Sequence, residues 1–149
     1  MRFRSIFSSS TKDSNYTATT IDKTVAMDTS DEVLSPCPIS PNCVCSKLPQ
    51  SDSHYIEPLV PTASTLSIFP MLVDYVQQLP KAELEEKASH YVHVSIRSMF
   101  FGFTDDLELF FAGDKIHVRS ASRSGWYDFG VNRRRVEAIR RYMENKLEG

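Results

Sequence analysis

The sequence predicts an α+β domain of two layers, with the order helix, three or four antiparallel strands, helix, after a disordered N-terminal tail. Three observations predict it. Apolar residues recur at helical spacing after Pro61 and again after Asn132. Between these segments, apolar and polar residues alternate three times with the period of a half-buried strand. Residues 1–35 are rich in Ser, Thr and Asp and show neither period.

The first predicted helix lies between Pro61 and Pro80, because proline ends a helix that reaches it. Thr62 or Ser67 is its candidate N-cap, and Pro70 fits a helix only in the first turn or at a kink. The apolar face expected to enter the core contains Leu66, Phe69, Leu72, Val73, Val76 and Leu79.

Three strands follow, at residues 92–96, 107–111 and 116–120, and the turn at 112–114 predicts that the last two form a hairpin. A fourth strand at residues 82–86 is poorly marked, since its acidic residues fit a helix end equally well.

The second predicted helix begins with Asn132 as N-cap, since its short polar side chain can accept a hydrogen bond from a free backbone N–H. Its apolar face contains Val136, Ile139, Met143 and Leu147. We expect both helices to cover one face of the sheet.

The charge composition excludes two classes of protein. The 149 residues contain 17 Lys+Arg and 19 Asp+Glu, unlike a strongly basic nucleic-acid-binding module. The apolar runs are far shorter than the roughly 18 residues of a membrane span. The charge is uneven, with eight acidic and three basic residues in 61–114 but nine basic and four acidic in 115–149. We expect these two stretches to pair with each other. The alternative is that they form two separate patches that steer a charged partner.

The N-terminal tail bears on localisation. Residues 1–12 contain three basic residues and no acidic one, as in a transit peptide for a plastid or mitochondrion, although the segment is short. A plain flexible terminus of a soluble protein is the favoured alternative. A secretory signal is not expected, because the tail lacks an apolar core of about seven residues.

All three cysteines fall within nine residues of a proline-rich loop. They are compatible with a disulfide, most simply Cys37–Cys43, or with free thiols in a reducing compartment. A zinc site of Cys37, Cys43, Cys45 and His54 is the third possibility, but the spacing does not match the common paired C-x2-C signature. Metal is therefore the least favoured of the three, and no cofactor is expected.

Residues 36 to about 145 resemble the DUF1499 family, small proteins of unknown function found in bacteria and in plants or algae. The resemblance rests on CPISPNC, on His54 with IEPL, on FFGFTDDLEL and on IHVRSASRSGWYDFGVNRRRVEAIR. It implies one domain over residues 36–148, with a Cys/Pro loop at 36–58 and an α+β core at 60–148. It also favours a Cys37–Cys43 pair with Cys45 as an extra thiol, and leaves the bacterial cytoplasm open as a location.

Residues 119–135 contain the candidate functional site. Free N–H groups at a helix start beside arginines bind anions, which makes Ser120, Ser122, Arg123, Asn132 and Arg133 a candidate anion site. The favoured alternative is a charge network that locks the loop. In it Asp105, Asp106 and Asp128 pair with Arg119, Arg123 and Arg133, and Arg135 belongs to the same network.

The aromatic residues of this loop offer a second kind of contact. Trp126 is expected to be exposed, where it would suit a protein interface or a stacked ligand, whereas Phe129 is expected to be core. The favoured function is a non-catalytic module that binds a partner protein or a small anionic or amphipathic ligand.

The alternative function is a hydrolase or other enzyme that uses Ser120, Ser122, Arg123 and the Asp105/Asp106 pair. In it Ser120 or Ser122 would be the nucleophile and His93 or His117 the base. No G-x-S-x-G motif supports it. Asp105 and Asp106 are adjacent, so that on a strand they point to opposite faces and cannot act as one acid/base pair.

Overall fold

The computed structural model describes residues 34–98 and 102–149, and the predicted tail at 1–35 lies almost wholly outside them. This part of the chain forms five strands and two helices. The strands are β1 (Cys43–Cys45), β2 (Ala82–Ala88), β3 (Tyr91–Arg97), β4 (Thr104–Phe111) and β5 (Ile116–Ser122), and the helices are α1 (Thr65–Gln77) and α2 (Val131–Glu148). The α+β class is confirmed.

One sheet contains all five strands in the order β1-β5-β4-β3-β2, and every neighbouring pair is antiparallel. The prediction of three or four strands missed β1, which the Cys/Pro loop contributes to the sheet. β2 was poorly marked because an edge strand with most residues exposed needs no apolar alternation. Its register shifts between Leu84 and Glu86, a bulge that is typical of sheet edges.

The hydrophobic core lies between one face of the sheet and the two helices. Alternate residues of β3, β4 and β5 enter it, and the predicted apolar residues of α2 pack onto them. Val44, Ile56 and Leu59 also enter this core, although they precede the core boundary expected at residue 60. The Cys/Pro loop is therefore part of the same packing unit as the rest of the domain.

The first helix begins at Thr65, and its buried face differs from the predicted one at Leu66. This residue is 74% exposed, whereas Ile68, two positions further on, is buried. The reason is that Leu66 and Ile68 lie on opposite edges of the apolar stripe of the helix, and spacing alone does not show which edge packs against the core. Pro70 lies inside the helix, where its nitrogen cannot donate to the Leu66 carbonyl in this solvent-facing turn.

The two helices contact each other through aromatic rings. Tyr75 of α1 and Tyr142 of α2 stack with ring centroids 3.8 Å apart and planes 10° from parallel. The Lys146 ammonium lies 5.6 Å from the Tyr142 centroid, a distance at which a cation is attracted to a ring face.

In residues 34–98 and 102–149, neither helix has the length and apolar character that crossing a membrane requires.

Replacing Leu72 with Ala should lower the free energy of unfolding by about 2 to 5 kcal/mol, because the side chain is fully buried and its loss leaves a cavity. Leu66→Ala, in the same helix, should change it by less than about 0.5 kcal/mol. Urea titration followed by circular dichroism measures both values. Equal effects of the two substitutions would contradict the burial described here.

Candidate functional site

A buried hydrogen-bond network connects β5, β4 and the first turn of α2. Ser120 Oγ donates to Asn132 Oδ1 over 2.6 Å, and Arg135 donates through Nη1 to the same oxygen over 2.7 Å. Arg135 Nη2 donates to Asp105 Oδ2 over 2.7 Å. Ser120 and Asn132 are fully buried, and the Asp105 side chain is nearly so. Such polar groups are stable in a core only when hydrogen-bonded, so each member depends on the others.

Asp128, rather than Asn132, caps the start of α2. Its carboxylate accepts hydrogen bonds from the backbone N–H groups of Gly130 and Asn132, at 2.9 and 3.0 Å. The predicted N-cap is therefore wrong, since the N-cap position is Gly130 and the helix begins at Val131, two residues earlier than predicted. Gly130 has φ +76°, a conformation that glycine adopts without strain. The Asn132 amide instead points inward and donates to Asp128 Oδ2 over 2.8 Å.

Asn42, in the Cys/Pro loop, holds the loop that joins β5 to α2 (residues 123–130, the β5–α2 loop). Its Nδ2 donates to the Gly125 carbonyl over 2.7 Å, and Ser40 Oγ donates to its Oδ1 over 2.8 Å. Its own carbonyl accepts from the Ser122 N–H at 3.0 Å and from Asn132 Nδ2 at 3.2 Å. The side chain and backbone of one buried residue thus position both ends of the strand-to-loop transition.

The acidic middle of the chain does pair with its basic end, as expected from the charge distribution. The Arg123–Asp106 pair agrees with the predicted network, whereas the other partners differ. Arg135 pairs with Asp105, Arg123 with Asp106 and Arg119 with Glu108. Arg133 donates instead to the backbone carbonyls of Ser53 and Tyr55. Asp128 serves as the helix cap. The Arg119–Glu108 pair follows the antiparallel register of β4 and β5, and the Arg135–Asp105 pair depends on how α2 packs on the sheet, neither of which the sequence shows.

The five residues of the predicted anion site do not share one surface. Ser120 and Asn132 are 0% exposed and bonded inside the protein. Arg123 lies on the opposite face of the sheet, where it donates to both carboxylate oxygens of Asp106. Arg133 contacts the segment at residues 53–55, and only Ser122 lines a sizeable groove.

The two serines also lie apart from the histidines proposed as their base. Ser120 and Ser122 point towards α2, since Asn132 contacts both of them. His93 and His117 point to the other face of the sheet, which neither helix covers. The serine–histidine arrangement of the hydrolase hypothesis is therefore not formed.

A charged cluster occupies that uncovered face. Asp106 contacts His93 Nε2 at 2.7 Å and Arg123 on the neighbouring strand. Partial burial raises the pKa of Asp106, but the hydrogen bonds from Arg123 and His93 outweigh it and hold the pKa below its ordinary value. Ser95 donates to Glu85, which lies 3.6 Å from Arg123. The charged side chains of this cluster are hydrogen-bonded or ion-paired to one another, and their contacts connect β2 to the end of β5 across the sheet.

The structure joins Cys37 to Cys43 by a disulfide, and Cys45 is a buried free thiol. Burial raises the pKa of Cys45 above its ordinary value. Disulfide sulfurs are not thiolates, so two members of the predicted zinc set are not available as ligands. Within residues 34–98 and 102–149, no group of three or more His, Cys, Asp or Glu side chains is placed to hold a metal ion.

His54, the fourth member of that set, connects two loops. Its Nδ1 lies 2.9 Å from Asp52 Oδ1 and its Nε2 lies 3.0 Å from the Ser40 carbonyl. Both neighbours are acceptors, so both contacts form only when the imidazole is protonated and donates from each nitrogen. The hydrogen bond to Asp52 raises the pKa of His54 above its ordinary value of 6.5, although burial and the charge of Arg133 oppose this.

A groove of about 480 Å³ lies beside the β5–α2 loop, which we call the aromatic groove. Its apolar lining comes from Phe103, Tyr127, Phe129 and Val131, and its polar lining includes Ser122 and Arg134. The Tyr127 and Phe129 rings meet edge to face with centroids 4.9 Å apart. A smaller cavity of about 170 Å³ adjoins Tyr127 on the side of Arg133 and His54.

Phe129 was predicted to be core and is 69% exposed. Its φ of +55° is in the left-handed region, which is unfavourable for a bulky side chain. Trp126, predicted to be exposed, is exposed. The groove residues Phe103, Val131 and Arg134 were missed as a site, because Phe103 precedes β4 while Val131 and Arg134 lie in the first turn of α2, and only folding brings the two segments together. The crowding of aromatics between Gly125 and Gly130 was the available signal.

Fold and site together define a class of α+β domain. Two helices cover one face of an antiparallel sheet, and buried hydrogen bonds from Asn42 and Asn132 hold the arginine-rich segment that joins the last strand to the last helix. Residues 33–143 match the family model of DUF1499, described as a protein of unknown function. The match covers well over half of the chain, and the chain belongs to the DUF1499 family. No curated protein matches it.

Arg135→Ala should lower the free energy of unfolding by about 3 to 5 kcal/mol, because it leaves the buried Asp105 carboxylate without its partner. Arg123→Ala is the matched control. Its ion pair lies on the uncovered face with the arginine 47% exposed, so the cost should be about 1 kcal/mol or less. Chemical denaturation of both variants at one pH gives the comparison, and a larger loss for Arg123→Ala would refute it.

His54 should make the stability depend on pH. A pKa that is raised in the folded state adds stability that is complete below the ordinary value of 6.5 and is lost as the pH rises through the folded value. The free energy of unfolding of the wild type should therefore fall between about pH 6 and pH 9 more steeply than that of His54→Gln. Parallel slopes for the two proteins over this range would contradict a raised pKa of His54 in the folded protein.

Proposed function

We propose that this chain is a non-catalytic binding module that takes a small amphipathic ligand, with an apolar body and an anionic head, in the aromatic groove. The observation that carries the proposal is a concave surface of about 480 Å³ lined by exposed aromatic side chains. Sites for small molecules have volumes of about 300 to 1,000 Å³ and a mostly apolar lining with a few polar groups. The aromatic groove fits this description.

The exposed aromatics are not explained by stability. Phe129 adopts a left-handed backbone conformation that costs about 1 to 2 kcal/mol for a residue with a side chain. Its ring is largely exposed, so little burial offsets this cost. Strain of this kind persists at sites where a side chain has to be presented to something else. The Phe129 ring is therefore best understood as a contact surface for a ligand.

The accessible charge in the groove is positive. Asp105 is paired with Arg135, and the Asp128 carboxylate is occupied by the N–H groups of the helix start. Arg134 is exposed, donates through Nη1 to the Phe129 carbonyl over 2.7 Å and has no ion-pair partner in the described part of the chain. Its remaining N–H groups are suited to a carboxylate or phosphate head. An anionic head beside an apolar body is the complementary ligand.

We expect dodecanoate to bind about three- to ten-fold more tightly than dodecanol, and dodecyltrimethylammonium to bind more weakly than either. Isothermal titration below the micelle concentration measures the series, which varies the head and keeps the chain constant. Arg134→Gln should abolish the preference for dodecanoate while dodecanol binding persists.

Phe129→Gly should weaken binding of both dodecanoate and dodecanol, yet keep the free energy of unfolding within about 1 kcal/mol of the wild type, since glycine accepts the left-handed conformation. Trp126→Ala, in the same loop but outside the groove lining, is the control and should bind normally. If none of the three compounds binds, the groove is not a small-molecule site, and a protein partner becomes the better explanation.

A further inference from the structure

We infer that the Cys37–Cys43 disulfide controls the aromatic groove, because it holds the Asn42 contact that positions the β5–α2 loop, so that a dithiol reductant weakens ligand binding. This inference rests on the function proposed above, and it adds a mode of regulation for the same site.

The first step is the contact between the two loops. Asn42 is adjacent to Cys43 and is buried. Its amide donates to the Gly125 carbonyl over 2.7 Å, and the Ser124 carbonyl lies at 3.5 Å. Ser124 and Tyr127, which flank this contact, both line the aromatic groove. The wall of the groove is therefore attached to the disulfide-closed loop by a side-chain hydrogen bond.

The second step is the dependence of Asn42 on the disulfide. Ser40 Oγ orients the amide through its 2.8 Å hydrogen bond to Oδ1, and Ser40 lies within the seven-residue ring that the disulfide closes. The rest of this ring contacts the domain little: Ile39 is 86% exposed, and Pro38 and Pro41 are exposed. His54 gives the one other side-chain contact described for Ser40, through its carbonyl. Opening the ring releases residues whose conformational freedom the covalent link had removed.

The third step is the effect on the groove. The β5–α2 loop is held at its start by Asn42 and at its end by the Asp128 cap. Trp126 and Tyr127 lie between these two anchors, Phe129 lies within the cap itself, and Gly125, at φ +82°, is a flexible point next to the first anchor. When the Asn42 amide loses its orientation, its hydrogen bond to the Gly125 carbonyl is lost. Tyr127 is then held only through the Arg123 contacts at the start of the loop and the Asp128 cap at its end. A ligand must then restore the order of the loop, and affinity falls.

The reaction itself is a thiol–disulfide exchange with a dithiol reductant. A thiolate of the dithiol attacks the sulfur of Cys37, which is partly exposed, and the S–S bond breaks with Cys43 as the leaving group. The second thiol of the reductant then displaces Cys37. Both cysteines end as thiols, and the dithiol is oxidised to its own cyclic disulfide. Cys45 is buried and its raised pKa keeps it protonated, so it takes no part in the exchange.

The test compares dodecanoate affinity before and after dithiothreitol treatment, in wild type, Asn42→Ala and Ile39→Ala. Reduction should weaken binding to the wild type about five-fold or more. Asn42→Ala, which keeps the disulfide, should bind as weakly as the reduced wild type and should no longer respond to reduction. Ile39→Ala changes an exposed residue of the same ring and should behave like the wild type in both states.

Trp126, the single tryptophan of the chain, lies between Gly125 and Tyr127 and reports on the loop without a ligand. Its fluorescence anisotropy should fall on reduction, while the far-UV circular dichroism is unchanged. If oxidised protein does not bind dodecanoate, the proposed function fails, and the anisotropy still decides whether the disulfide controls the loop. Unchanged anisotropy on reduction, normal binding by Asn42→Ala, or loss of circular dichroism on reduction would each overturn the inference.

Discussion

The buried hydrogen-bond network around Asn132 is the constraint on which the arrangement of the domain depends. It places a charged pair, Arg135 and Asp105, in a region from which water is nearly excluded. Such a pair is tolerated only if every remaining donor and acceptor is satisfied. Ser120 supplies one partner, and the Asn132 amide also reaches the Asn42 carbonyl in the Cys/Pro loop. The sheet, α2 and the Cys/Pro loop therefore have to meet in one geometry.

The network also explains why the two faces of the sheet have different chemistry. Adjacent residues of β4 point to opposite faces, so Asp105 enters the network beneath α2 while Asp106 joins the charged cluster on the uncovered face. With the acidic groups of both faces engaged, the exposed cation at the aromatic groove is Arg134. The arginine-rich segment thus mainly holds the domain together, and the proposed binding surface comes from the aromatic residues beside it.

Much of the fold could be predicted because its elements follow local patterns. Alternation in β3, β4 and β5 and the apolar spacing of α2 each reflect a period that backbone geometry imposes. The prediction errors occur where an element is too short to show a pattern, or where a residue fits the pattern without being buried. β1 has three residues, too few to show alternation, and is a strand because it pairs with β5. Leu66 follows the helical period, yet it lies at the edge of the apolar stripe and is exposed.

The candidate site was less predictable, because it depends on contacts between residues 80 to 90 positions apart. The sequence by itself determined the α+β class, the family and the acidic–basic complementarity, since these follow from local period, composition and motif. Only the tertiary structure decided which arginine meets which acid, that Asn132 is buried rather than capping, and that Phe129 is exposed. The physical reason is that strand register and packing select partners among side chains of equal chemistry.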